Sequence, residues 1–405
     1  MTRPRRSRFA RIVFGVTAVT HATFALASAE LLRRAGVPHP ALAGAAVALL
    51  LLLVFVRRMQ RLFPDRRLSR LALHLIEEPF FVHWCAALGS CAPIAIYALV
   101  KALVLAAQGK TPELPSTFAL VAYLAAFVLA VWGVFVRRRW VRTHELDVAI
   151  PGLPAAFDGY RVAQLSDLHI GGLTPARWGE SWARLSNAAA PDLVAVTGDL
   201  VSSGTDFHHD IARVIGLLRA TDGVFVSMGN HDYFGDGEPL VTLLRETGAV
   251  VLRNEGRTVT RDGARLFIAG VDDTWTRRAD LLRTLADRDP EVCTLLLAHD
   301  PELFPLAARH GVSLVLSGHT HGGQIALPFF PELFGLGKLA HRFHLGLYRD
   351  GDSSLYVHAG LGTTGPPIRV GVAPEIAILT LRAAIPRPAQ RQARAPGGDG
   401  RAEFG

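Results

Sequence analysis

The chain has 405 residues with 43 Lys and Arg against 35 Asp and Glu, a formal net charge of +8, and is long enough for two or more ordinary domains. The basic excess is confined to residues 1–143, which hold 19 basic and 5 acidic residues, whereas 144–405 hold 24 and 30. Its arginines flank apolar runs, which argues for membrane topology signals rather than a nucleic-acid surface, and no nucleic-acid partner is expected. Cys85, Cys91 and Cys293 offer neither a disulfide framework nor zinc-type spacing.

Four apolar segments come first, at about 12–32, 37–56, 80–100 and 118–136. Each is close to the roughly 20 residues a helix needs to cross the hydrocarbon core. The first carries His21 and Glu30, and the third His83 and Pro93; these polar groups are expected to satisfy one another within a helical bundle. Arginines crowd before the first segment, between the second and third, and after the fourth. That alternation predicts an integral protein of the cytoplasmic membrane, with both termini and the 57–79 loop in the cytoplasm. Two rival readings stand beside it. Ala27-Ser28-Ala29 would serve as a signal-peptidase site, leaving the C-terminal part on the same side. Arg5-Arg6-Ser7-Arg8-Phe9 resembles a twin-arginine signal, which would reverse that side.

From about residue 144 the pattern changes to short apolar runs separated by Gly, Asp and Asn. Strands are predicted at 161–165, 193–197, 223–228, 265–271, 293–298, 314–317, 355–359 and 376–381, with helical spacing at 175–190 and 209–220. This is an α/β layered pattern. After Arg382 the composition turns to Pro, Arg, Gln, Gly and Ala, so a disordered tail is expected. The resulting division is a membrane anchor over 1–143, a catalytic domain over 144–382 and a tail over 383–405.

Most of the strong strands end in residues suited to metal. Asp167 and His169 follow the strand at 161–165, Asp199 the one at 193–197, and Asn230, His231 and Asp232 the one at 223–228. His299 follows 293–298, and His319 and His321 in Gly-His-Thr-His-Gly-Gly-Gln follow 314–317. Any one of these would serve as a turn or cap residue. Five sites at five strand ends converge on one sheet edge, where open α/β folds place ligands. Carboxylate, imidazole and amide donors suit divalent ions such as Mn²⁺, Fe²⁺ and Zn²⁺. Two such ions about 3.5–4 Å apart activate a water and clamp the oxygens of a phosphoryl displacement.

In that order these motifs resemble the calcineurin-like metallophosphoesterases. The histidine loop together with 360–369 (Gly-Leu-Gly-Thr-Thr-Gly-Pro-Pro-Ile-Arg) is similar to a membrane-anchored bacterial branch of them. The resemblance covers about 144–382 and implies a four-layer sandwich, two β-sheets flanked by helices, behind an α-helical membrane region. It further implies that Asp167, His169 and His321 bind a first metal, that Asp199 bridges, and that Asn230, His299 and His319 bind a second. His231 would face substrate as general acid or phosphate donor, and Arg369 is expected to bind substrate. Asp232 is expected to orient its loop. Many members carry an Asp and an Arg where this chain reads Gly198-Asp199-Leu200-Val201-Ser202-Ser203, which leaves the orienter of His231 open, Asp272 and Asp273 being candidates.

The implied function is hydrolysis of a phosphoester or pyrophosphate on a phosphorylated small molecule or lipid. Some relatives are similar to enzymes that cleave UDP-2,3-diacylglucosamine. The apolar stretch 325–339, broken by Pro and Gly, carrying Lys338 near its end and followed by His341, Arg342 and His344, reads as a lipid contact or as a flap packed on its own domain. Alternatives are a merely tethered hydrolase, a non-catalytic phospholigand receptor, and a transporter with a regulatory domain.

Overall fold

A computed structural model describes residues 3–59, 65–109, 117–327 and 335–385. The tail expected from residue 383 starts later than that, because Ala383 and Ala384 still pair as strand with Ile150 and Pro151; the remainder from residue 386 on, and positions 328–334 of the apolar stretch, lie outside the described residues.

Among the described residues the N-terminal third forms four long helices, α1 (Arg3–Arg34), α2 (Pro40–Met59), α3 (Glu78–Gln108) and α4 (Phe118–Phe135). All four are long and apolar enough to cross a membrane. Leucine and alanine favour the helix and supply its apolar surface. Polar groups inside the bundle pair with each other, as expected. His21 Nδ1 meets the Thr17 carbonyl at 2.8 Å, Trp84 Nε1 donates to Thr17 Oγ1 at 3.1 Å, and His83 Nδ1 lies 2.9 Å from the Tyr123 hydroxyl. Where α3 and α4 leave the bundle, the buried Glu78 carboxylate is bonded to Arg138 and Arg139 at 2.5 Å each. Arg138 also lies over the Trp178 ring, 4.9 Å from its centroid, tying the helix ends to the domain beyond.

That domain holds twelve strands: β1 (Arg142–Pro151), β2 (Arg161–Leu165), β3 (Leu193–Thr197), β4 (Val224–Ser227), β5 (Val250–Val251), β6 (Glu255–Arg261), β7 (Ala264–Gly270), β8 (Thr294–Leu297), β9 (Leu314–Ser317), β10 (Gly346–Asp350), β11 (Ser353–Val357) and β12 (Glu375–Ala384). One sheet runs β1-β12-β2-β3-β4-β5 and the other β10-β11-β9-β8-β7-β6. Both are mixed: β2-β3-β4-β5 and β7-β8-β9-β11 run parallel, while β12 opposes β2.

Side-chain alternation sets the layers. Leu193 and Ala195 face the opposing sheet beside Leu295, Leu297, Leu314 and Leu316, while Val194 and Val196 face the helices Ala176–Ala188 and His208–Ile215. On the second sheet Leu296, Val315 and Leu355 turn outward onto Phe304. The order is helix, sheet, sheet, helix, the calcineurin-like sandwich anticipated. All eight expected strands are present. β1, β5, β6 and β10 were not anticipated, because they are edge or near-edge strands that are short or carry charge on an exposed face.

Further contacts join the helices to the sandwich. Ile368 and Val370 pack into a cluster with Val82, Cys85, Ala130 and Val134 of α3 and α4. Gly133 makes room for them, since a Cβ there would lie 2.7 Å from Ile368 and 2.9 Å from the Arg369 carbonyl. Separately, the loop between α2 and α3 touches the domain: Asp65 accepts the Gly172 N–H at 3.1 Å, and Arg67 pairs with Asp210 at 2.8 Å.

Candidate metal centre

The ends of β2, β3, β4, β8 and β9 converge, and their side chains form two groups. Asp167, His169, Asp199 and His321 offer ligand atoms within 4.8 Å of one another, as do Asp199, His299 and His319. Asp199 belongs to both, with Oδ2 3.5 Å from His169 Nε2 and 3.3 Å from His299 Nε2. His321 Nε2 lies 3.2 Å from Asp167 Oδ1 and 3.0 Å from His169 Nε2; His319 Nδ1 lies 3.2 Å from His299 Nε2.

Five of these residues sit at positive φ: Asp167 (52°), His169 (45°), Asp199 (53°), His319 (71°) and His321 (53°). Such backbone costs of order 1–3 kcal/mol per residue and persists where the surroundings impose it. Here the chain turns sharply off each strand to aim a short side chain into the crevice. Gly318 has no alternative, because a Cβ there would run into Ser166 and the Asp167 carboxylate.

The donor set fits divalent cations. Two pairs of imidazole nitrogens face each other at hydrogen-bond distance, and the buried Asn230 Oδ1 has no hydrogen-bond partner, an arrangement a cation between the donors would satisfy. Electrostatics agree. Burial pushes Asp199 up, but the His299 and His231 imidazoles outweigh it and hold the carboxyl well below its ordinary range. Burial lowers His299, but Asp199 more than offsets it and raises that imidazole well above its usual value. For His169 burial wins, helped by His231, and the ring is pushed well down toward the neutral, ligating form. Buried carboxylates that demand nearby positive charge are what a divalent ion answers.

His231 is half-buried, its ring centroid 4.7 Å from that of His169 and its backbone N–H donating to Asp199 Oδ1 at 2.9 Å. Its Nδ1 lies 2.7 Å from the Ser202 carbonyl. That contact answers what orients the ring, and corrects the expectation of Asp272 or Asp273. Asp272 accepts from Tyr233 Oη at 2.6 Å and Arg253 at 2.9 Å, while Asp273 accepts the Thr276 N–H at 2.6 Å. A backbone carbonyl leaves no trace in residue identity, so the sequence could not name it. Asp232 is buried and accepts the N–H groups of Leu200, Val201 and Gly229 at 2.8, 3.2 and 2.9 Å.

Arg369, expected to contact substrate, does not match that placement. It is fully buried, and its guanidinium donates to the carbonyls of Ala359, Gly360 and Gly362. Leu361 and Gly362 in turn donate to the Ser166 and Asp167 carbonyls at 3.0 and 2.7 Å, so Arg369 braces the wall behind Asp167. Trp275, which the sequence reading overlooked, is 55% exposed with its ring 5.4 Å from His319.

A two-sheet sandwich carrying a shared-carboxylate centre at its strand ends defines a metallophosphoesterase. The model of the calcineurin-like phosphoesterase family matches residues 160–323. The metallophosphoesterase YkuE of Bacillus subtilis is 32% identical over 271 residues, covering 64% of this chain and 93% of that protein. A transmembrane protein with metallophosphoesterase domain from Danio rerio is 31% identical over 279 residues, 65% of this chain and 63% of its own length. The metallophosphoesterase Cj0846 of Campylobacter jejuni is 32% identical over 292 residues, covering 69% and 75%. The chain belongs to the calcineurin-like metallophosphoesterases and is a metal-dependent phosphoester hydrolase joined to four membrane-capable helices.

Proposed function

We propose a membrane-anchored, dinuclear-metal hydrolase of a phosphoester or pyrophosphate carried on a lipid or lipid-linked molecule, UDP-2,3-diacylglucosamine being a specific candidate, acting at the cytoplasmic face of the cytoplasmic membrane. The observation that carries the dinuclear reading is the membership of Asp199 in both ligand groups. Asp167, His169 and His321 would hold one ion, Asn230, His299 and His319 the other, with Asp199 between them. When bound, the two ions supply an activated water and a clamp on the phosphate oxygens. His231 has Nδ1 committed to Ser202, so Nε2 is the atom that meets the leaving oxygen and gives it a proton. The helices α1–α4 serve as the anchor, and the sandwich from about residue 144 to 382 as the catalytic unit.

Two features support the lipid reading. Leu336 and Leu339 stand exposed on the helix Leu336–Ala340, whose Gly337 lies against Gly322 of the histidine loop, and Trp275 is exposed beside His319. An apolar rim next to phosphate-binding metals suits a substrate with both a phosphate and an acyl part. The docking of the 65–67 loop on the sandwich supports placing both on one side of the membrane, and the arginine alternation favours the cytoplasm as that side.

The test uses the full chain purified with Mn²⁺. Asp199→Ala should lose metal and turnover together, whereas His231→Ala should keep the metal and lose about 10²- to 10⁴-fold in rate. Full activity in Asp199→Ala overturns the two-metal reading. For the substrate class, Phe329, Phe330 and Phe334 are replaced by Ser, and UDP-2,3-diacylglucosamine in micelles is compared with bis(p-nitrophenyl) phosphate. Selective loss on the lipid supports the proposal; equal loss on both removes it.

A further inference from the structure

We propose that Asp65, on the loop between α2 and α3, is a positioning residue for His231, acting through Ser202. The proposal rests on the reading of His231 as the group that meets the leaving oxygen.

Three contacts bring the Asp65 position to bear. Its carboxylate accepts the Gly172 N–H at 3.1 Å, and its backbone N–H donates to Ser203 Oγ at 3.2 Å. The Ser202 hydroxyl lies between this carboxylate and the His169 carbonyl, which it reaches at 3.0 Å. The same Ser202 presents its carbonyl to His231 Nδ1 at 2.7 Å. The strip 200–203 is thus held from two sides. Asp232 grips the Leu200 and Val201 N–H groups from within, while from the α2–α3 loop Asp65 donates its N–H to Ser203 and sets its carboxylate beside the Ser202 hydroxyl. What Asp65 adds is the orientation of the Ser202 peptide, and with it the direction of the imidazole.

The fit is close. The Asp65 carboxylate occupies the space that a side chain at Gly171 would take, and a Cβ at Gly172 would lie 2.5 Å from the Arg66 carbonyl. Burial pushes the Asp65 carboxyl up to about 6, against the lowering effect of the Gly172 and Arg66 N–H groups, so a desolvated charge is kept where polar contacts await it. The loop is held independently two residues on. Arg67 pairs with Asp210 at 2.8 Å, donates to the Asp206 carbonyl at 2.8 Å and lies over the Phe207 ring, 5.1 Å from its centroid. Removing the Asp65 carboxylate therefore leaves the loop docked through Arg67 and frees the Gly172 N–H and the Ser202 side chain. Residues 200–203 lack an acidic or basic side chain of their own. Asp65, more than a hundred positions earlier, stands beside that gap.

A double-mutant cycle tests this, with the full chain in Mn²⁺ and bis(p-nitrophenyl) phosphate as substrate. Asp65→Ala should lower kcat about 10- to 100-fold, as misplacement of a reacting group does, with KM within about threefold and metal content and thermal midpoint unchanged. In the His231→Ala background the same substitution should cost less than about threefold, because coupled residues lose only once. Asp65→Asn, of equal size and keeping one acceptor, should recover most of the rate; if Asp65→Ala does not fold, the cycle is run with Asp65→Ser. Equal losses in both backgrounds, no loss in Asp65→Ala, or a loss that follows metal content would overturn the proposal alone. Full turnover in His231→Ala would remove the reading of His231 and the proposal with it.

Discussion

Asp232 offers the sharpest separation of scaffold from chemistry. It neighbours His231 and Asn230, yet its carboxylate points into the backbone, accepting three N–H groups at 2.8–3.2 Å with no solvent exposure. Replacing it by Ala would strand three buried donors, each costing about 1–3 kcal/mol. The total, about 3–9 kcal/mol, rivals the 5–15 kcal/mol that holds an ordinary domain. Asp232→Asn is the informative change. The amide oxygen keeps the Leu200 and Val201 bonds, while the NH₂ faces the Gly229 N–H, so about one bond is lost. At roughly 2–4 °C per kcal/mol for a domain of 150–250 residues, the melting midpoint should fall by about 2–12 °C. Differential scanning fluorimetry of the metal-loaded protein gives the midpoint, and mass spectrometry the metal content. An Asp232→Asn protein that melts like wild type yet has lost metal would refute this account and make Asp232 a ligand.

Two further perturbations probe contacts outside the metal centre. Gly133→Val should slow turnover although α4 carries no site residue, because the added atoms press on Ile368 and the Arg369 carbonyl, a clash worth about 1–3 kcal/mol. Gly15→Val, where nothing lies within 4 Å, is the control, and equal kcat in the two would refute the coupling. His144 is held above its ordinary pKa chiefly by the Glu375 carboxylate, 3.7 Å away. Its contribution is therefore complete below about 6.5 and lost as pH rises through the raised value. The midpoint gap between wild type and His144→Gln should accordingly be wider at pH 6 than at pH 8.5.

The sequence announced the metal ligands because each comes just after a strongly apolar strand, and few other roles place Asp-x-His, Gly-Asp and Gly-His-x-His at successive strand ends. The eight central strands were legible for the same reason: Val194, Leu295 and Val315 have apolar neighbours on both faces. β1 and β10 were not, since Arg142–Glu145 and Leu347–Asp350 hold largely exposed side chains and show no apolar run. Nor was the bracing role of Arg369, whose arginine character suggested phosphate until its burial showed five donors turned to carbonyls. The Ser202 carbonyl and the approach of Asp65 belong to long-range packing. No local pattern encodes them.

The pairing of β1 with β12 has a consequence for how the protein is made. β1 begins at Arg142, just beyond α4, and its hydrogen-bonded neighbour is β12, which pairs with it in parallel from Glu375 to Ala384. As the chain emerges, α1–α4 are complete and able to enter the bilayer well before β12 is synthesised. Until then β1 lacks the neighbour it pairs with, and its edge stays open. Closing a loop of more than two hundred residues is the slow, non-local event of this topology. The sandwich is closed only when β12 returns to β1 just beyond α4, so the four apolar helices are made before the catalytic unit is complete.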